Sequence, residues 1–100
     1  MPAAPLLIAA EIASRLAELP DWRLVDGRLT RTLKTHDFRS AIELVGRIAD
    51  PADEQNHHPD VAIHWNEVTL TLWTHASGGI TARDFRLAHS IEPIVAGAIG

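Results

Sequence analysis

Apolar residues recur along this chain with two different periods, and the changes of period mark out seven elements. Ile8, Ile12, Leu16 and Leu19 follow helical spacing, with Glu11, Ser14, Arg15 and Glu18 opposite them. This predicts an amphipathic helix over about residues 6–19 that stops at Pro20. Trp22 to Val25 and Arg28 to Thr35 read as two strands around Asp26-Gly27, a pair suited to a type I′ hairpin because both central residues need positive φ. Phe38, Ala41, Ile42, Val45, Ile48 and Ala49 return to helical spacing, with Thr35 or Asp37 as the cap. Pro51 should break or kink this second helix, since proline removes a helical N–H and crowds the preceding turn.

Val61, Ile63 and Trp65 then alternate with Ala62, His64 and Asn66, which predicts a strand with Trp65 on its inward face. Asn66-Glu67 reads as the turn, and Val68, Leu70 and Leu72 alternate with Thr69, Thr71 and Trp73 as a fourth strand. Ser77-Gly78-Gly79 is a loop, and Thr81-Ala82-Arg83-Asp84 fits a capping box opening a helix with Phe85, Ala88 and Ile91 buried. Pro93 should end or bend that helix, with the tail to Gly100 fraying. The order α-β-β-α-β-β-α predicts an α+β fold, a four-stranded antiparallel sheet with three helices on one face, in a single domain over residues 1–100. Arg31, Thr69, Thr71 and Trp73 should then look outward from the sheet. That bare face, the edge strands and Leu44 on the polar side of the second helix offer surfaces for subunit pairing.

Composition narrows the function. A net charge of -4 argues against a general nucleic-acid binder, because phosphate neutralisation needs a basic surface. Arg28, Arg31, Lys34 and Arg39 form a local basic cluster, read as a solvated strand face rather than an anion site. The lack of cysteine excludes disulfides and Cys-type zinc sites and fits a reducing cytoplasm. No segment is long and apolar enough to span a membrane, and the run from Ala3 to Ala10 lacks the basic start of a signal peptide.

Four of the six histidines fall within 19 residues, as Asn56-His57-His58-Pro59, His64 and Trp73-Thr74-His75, with Asp53 and Asp84 flanking. Histidine is the side chain whose unperturbed protonation range spans neutral pH. If the third and fourth strands are antiparallel neighbours, His57, His58 and His75 converge on one rim of the sheet. Pro59 holds His58 extended. Two imidazoles flanking a small polar substrate can act as general acid and general base. Zinc is the competing reading, although adjacent His57 and His58 point in different directions on an extended chain. Asp84 reads either as a helix cap or as a histidine partner. His36, His64 and His89 lie outside the converging set, and Trp73, beside His75, is the better stacking candidate of the two nearby tryptophans.

The spacing Asp53-x3-His57-His58-Pro59-x5-Trp65-x9-His75-x8-Asp84 resembles the signature of the pterin-4a-carbinolamine dehydratases. Leu19-Pro20-Asp21-Trp22, Asp37-Phe38, Glu54-Gln55-Asn56-His57-His58-Pro59-Asp60 and Thr74-His75-x3-Gly79-Ile80-Thr81-x2-Asp84 extend the likeness over about residues 7–91. The resemblance implies dehydration of 4a-hydroxytetrahydropterin to quinonoid dihydropterin in the cytoplasm, with no cofactor and no metal. His57 and His75 would be the acid–base pair, with His58 holding the pterin. Asn56, Trp73 and Thr74 would add contacts, and Asp84 would orient His75. It also implies a homodimer or homotetramer, with a hydroxylase or a transcription factor as a further partner. Asp53 stands where the family usually has Glu, and Pro51 falls where relatives continue a helix, so a kinked approach to the site is expected. A non-catalytic binding module, acting as a dimerisation or assembly cofactor, is the alternative, and a different pterin substrate is a third possibility. Three clustered imidazoles favour the enzyme.

Overall fold

A computed structural model describes residues 3–99; Met1, Pro2 and the Gly100 end of the tail lie outside the described residues. The chain runs α1 (Ala9–Leu16), β1 (Arg23–Val25), β2 (Arg28–Lys34), α2 (Phe38–Glu54), β3 (Asp60–His64), β4 (Glu67–Leu72), a 3-10 turn (His75–Ser77) and α3 (Ala82–Ile99). The strands form one antiparallel sheet, as the alternation predicts, in the order β1-β2-β4-β3. Asp26 and Gly27 have φ of 50° and 73°, the pair of left-handed residues that a type I′ turn needs.

Alternation decides what faces the helices. Leu29 and Leu33 of β2 and Val68, Leu70 and Leu72 of β4 are buried against Ala41, Leu44, Ile48 and Ala52 of α2 and Phe85, Ala88, Ile91 and Val95 of α3. Leu44 is therefore core, not a marker of subunit contact. The buried stripe of α2 runs through residues 41, 44, 48 and 52, which turns Phe38 and Ile42 out to solvent. Arg31 also departs from expectation. It shares the helix-facing side of β2 with Leu29 and Leu33, and its Nε donates to Glu92 of α3 at 3.1 Å. Trp22 Nε1 donates to the same carboxylate oxygen, so a buried cation is compensated rather than solvated. Thr69, Thr71 and Trp73 do lie on the open side, where Thr32 and Thr69 hydroxyls meet at 3.2 Å. Trp65 is not on an inward strand face. It occupies the β3–β4 turn at φ 52° and is 71% exposed.

Helix boundaries differ where tertiary contacts override the local signal. α1 is shorter than predicted because Leu6 bridges Thr81 and the Leu7 N–H donates to Ile80, which commits residues 6 and 7 to an extended path. α2 and α3 run through Pro51 and Pro93 instead of stopping. In each, a buried residue just beyond the proline, Ala52 or Val95, anchors the next turn to the core and offsets the lost hydrogen bond.

Candidate active site

α2 ends so as to deliver the first two histidines. Asn56 takes a left-handed φ of 48°, the Asn56 N–H donates to the Asp53 carbonyl and the His57 N–H donates to the Ala52 carbonyl. These paired bonds are a Schellman cap, in which asparagine tolerates the left-handed position better than most residues. Because α2 continues past Pro51, the cap falls at Asn56 and the next residue turns inward. His57 is 7% exposed, while His58 stays on the surface with its Nε2 2.9 Å from Asp53 Oδ1. Asp53 thus pairs with His58, and both side chains are largely exposed.

The inward histidine meets the start of α3. His57 Nε2 lies 2.5 Å from Oδ1 of Asp84, which is fully buried. The other carboxylate oxygen accepts from the Thr81 N–H at 2.9 Å and from Thr74 Oγ1 at 2.9 Å. With its proton directed to Asp84, Thr74 Oγ1 accepts from the Thr81 hydroxyl at 2.7 Å, and Thr81 Oγ1 in turn accepts from the Arg83 N–H. Asp84 is therefore both a helix cap and a histidine partner, but the partner is His57 and not the expected His75. Both oxygens of this buried carboxylate are hydrogen-bonded, as burial demands.

His75 arrives from the other side, at the head of the 3-10 turn that follows β4. The turn is closed by the Thr74 N–H donating to the Gly79 carbonyl at 2.8 Å and by Gly78 at φ 74°. His75 stacks on Trp73, with ring centroids 3.9 Å apart and 28° between planes. The Arg28 guanidinium lies 4.2 Å from the Trp73 ring centroid. At these separations the two groups cannot share one face, so the indole is sandwiched between them, and a planar ligand could stack on Trp73 only by displacing one.

Asn56, His57, His58, Trp73, Thr74 and His75 line one cleft of about 350 Å³ at the rim of the sheet. Asp53 and Asp84 stand behind the histidines. His36, His64 and His89 do not line this cleft. No three His, Asp or Glu side chains among the described residues are grouped to hold a metal ion. Two further lining residues are not among the site residues expected from the sequence. Asp60 opens β3, and Arg83 reaches from α3 to donate Nη2 to the carbonyls of Asn56, at 2.6 Å, and Gln55, at 3.4 Å. Nothing local in the sequence couples Arg83 to a loop 27 residues earlier; only its place directly before Asp84 hinted at the site.

Known proteins resemble this chain in sequence and in fold. The family model described as pterin 4 alpha carbinolamine dehydratase matches residues 5–94. A protein of Herpetosiphon aurantiacus named "Putative pterin-4-alpha-carbinolamine dehydratase" is 46% identical over 94 residues, covering 94% of this chain and 98% of that protein. One of the same name from a Cyanothece species is 44% identical over 91 residues, covering 91% and 94%. A crystal structure described as "transcriptional coactivator/pterin dehydratase from Brucella Melitensis" superposes with a TM-score of 0.85 at 32% identity, covering 90% of this chain and 98% of that one.

Proposed function

The chain belongs to the pterin-4a-carbinolamine dehydratase family of hydro-lyases, and on that footing we propose that it dehydrates 4a-hydroxytetrahydropterin to quinonoid dihydropterin. The reaction breaks the C4a–O bond and the N5–H bond and makes C4a=N5, releasing water. It needs one proton delivered to the hydroxyl and one removed from N5. The observation that carries the reading is the meeting of His57 and His75 from separate loops in one cleft, with His57 held against a buried carboxylate.

In this reading His57 protonates the leaving hydroxyl and His75 accepts the N5 proton. Asp84 takes the Nε2 side of His57, which leaves Nδ1 as the nitrogen that trades protons with the substrate. The carboxylate also compensates the positive charge that His57 carries while it holds the extra proton. His58, Asn56, Trp73 and Thr74 shape and hold the pterin's surroundings, and Asp53 steadies His58. The described residues include no helix long and apolar enough to cross a membrane. We place the activity in the cytoplasm, in one domain over residues 1–100, without a cofactor, in a homodimer or homotetramer.

The test is absorbance-monitored dehydration of synthetic 4a-hydroxytetrahydropterin by the native protein and by His57→Ala and His75→Ala. Each substitution should cost at least ~10²-fold in rate, the lower end for loss of a general acid or base. Unchanged rates would reject the acid–base assignment. An inactive native protein would favour the second reading, a module that binds another protein. That reading draws on the coactivator description of the Brucella structure and on the exposed Phe38 and Ile42 of α2.

A further inference from the structure

Building on the dehydratase reading, we propose that the histidine cleft continues past Arg83 into a basic subsite between α1 and α3. That subsite takes an anionic substituent of the pterin, a phosphate or a carboxylate. Arg83 lines the histidine cleft and also a neighbouring hollow of about 430 Å³. Arg15 of α1 and Arg86 and His89 of α3 line that hollow too, over Phe85, which is 2% exposed. The Arg15 guanidinium sits 6.0 Å from the Phe85 ring centroid.

The charge here is out of keeping with the rest of the chain. Three of the nine Lys and Arg residues of a protein with net charge -4 gather on this one hollow. Among the described residues, the ion pairs engage Arg31, His57 and His58, and none of Arg15, Arg83 or Arg86. Among the described residues, Glu18 is the one carboxylate of the lining, and it lies toward the end that the hollow shares with the next groove along α3. Gathered cations repel one another, and a low-dielectric floor such as Phe85 focuses their field on an incoming anion. Guanidinium forks match phosphate and carboxylate oxygens, which a neutral hydroxyl chain would not exploit. Arg83 spends only Nη2 on the Gln55 and Asn56 carbonyls, so Nε and Nη1 are available at the junction of the two hollows. A ring in the histidine cleft would need its side chain to pass only this one residue to reach the others.

Fluorescence titration with stable oxidised pterins tests the subsite. Neutral 6-hydroxymethylpterin is compared with its phosphate ester and with 6-carboxypterin, so that the two sources of negative charge are separated. At low salt, at least one anionic pterin should bind about 10-fold more tightly than the neutral one. In the double variant Arg15→Gln/Arg86→Gln that ratio should fall toward one, and 0.5 M salt should reduce it in the native protein, on the order of the screening expected for exposed charges. Equal affinity for neutral and anionic pterins, or a preference that survives both substitutions, would overturn the proposal. A separate titration with inorganic pyrophosphate, followed by amide NMR, distinguishes this failure from failure of the dehydratase reading. Shifts at Arg15 and along residues 83–89 that vanish in the double variant would uphold the subsite even if no pterin bound. Their absence from the native protein would reject it.

Discussion

Asp84 shows how much one buried side chain can be asked to do. Its carboxylate holds His57, takes the hydroxyl of Thr74 and caps α3 through the Thr81 N–H. Asp84→Asn keeps the shape but exchanges an acceptor oxygen for an amide that only donates. The amide nitrogen then faces His57, whose Nε2 must take the accepting tautomer, and exchanging a charge-assisted hydrogen bond for a neutral one should destabilise the fold by about 1 kcal/mol. The same variant loses the charge opposite His57, so dehydration should fall by at least ~10²-fold even at temperatures where the protein stays folded. Chemical denaturation and the absorbance assay measure the two losses separately; full activity in a folded variant would contradict the role given to Asp84. The capping role could be read from the sequence, because Thr81 and Asp84 stand three apart before an apolar stripe. The partner could not. Choosing between His57 and His75 requires knowing that the Schellman cap turns His57 inward while stacking on Trp73 draws His75 out.

At the scale of elements, period and turn chemistry carried most of the information. Asp26-Gly27 and the alternation in β2 and β4 are local facts, and the sheet follows from them. The errors lie where a long-range contact outweighs a local preference. Pro51 and Pro93 read as breaks or bends because the buried Ala52 and Val95 beyond them look ordinary in sequence, and Arg31 reads as solvated until Glu92 is known to lie across from it. Pro51→Ala should therefore restore an interior hydrogen bond and raise unfolding stability by about 1 kcal/mol, read from denaturant midpoints. A loss of stability would mean that the proline is favoured in this setting. The start of α2 offers a pH test. Asp37 accepts the Ser40 N–H at 2.8 Å, and that backbone bond chiefly holds its carboxyl below the ordinary value of 3.8. A group ionised more readily in the folded state stabilises it fully above 3.8 and loses that contribution as pH falls through the lower folded value. Asn caps equally well but does not titrate. The stability advantage of native protein over Asp37→Asn should thus shrink below 3.8, while an advantage constant with pH would rule out the charged cap.

For the whole molecule, one layer of helices covers one face of the sheet and leaves the other open. Phe38 and Ile42 on α2 are about half exposed, as are Leu24 and Val25 on the β1 edge, so apolar surface remains on two sides. Sedimentation equilibrium should accordingly find a dimer or tetramer, and Phe38→Ser/Ile42→Ser should shift the population toward smaller species if α2 lies in the contact. A native monomer at tens of micromolar would refute the assembly. The cleft itself depends on two helix ends, the last turn of α2 through its Schellman cap and the first turn of α3 through Asp84. Helix ends are where native proteins open most readily, without global unfolding. In the proposed mechanism, whenever the first turn of α3 frays, Asp84 leaves His57 and dehydration stops while the core remains intact. Catalytic output should then be proportional to the fraction of molecules with both ends wound, so activity should decline on warming ahead of the melting of the sheet, and a pterin filling the cleft should slow amide exchange at residues 81–84 before it slows any strand.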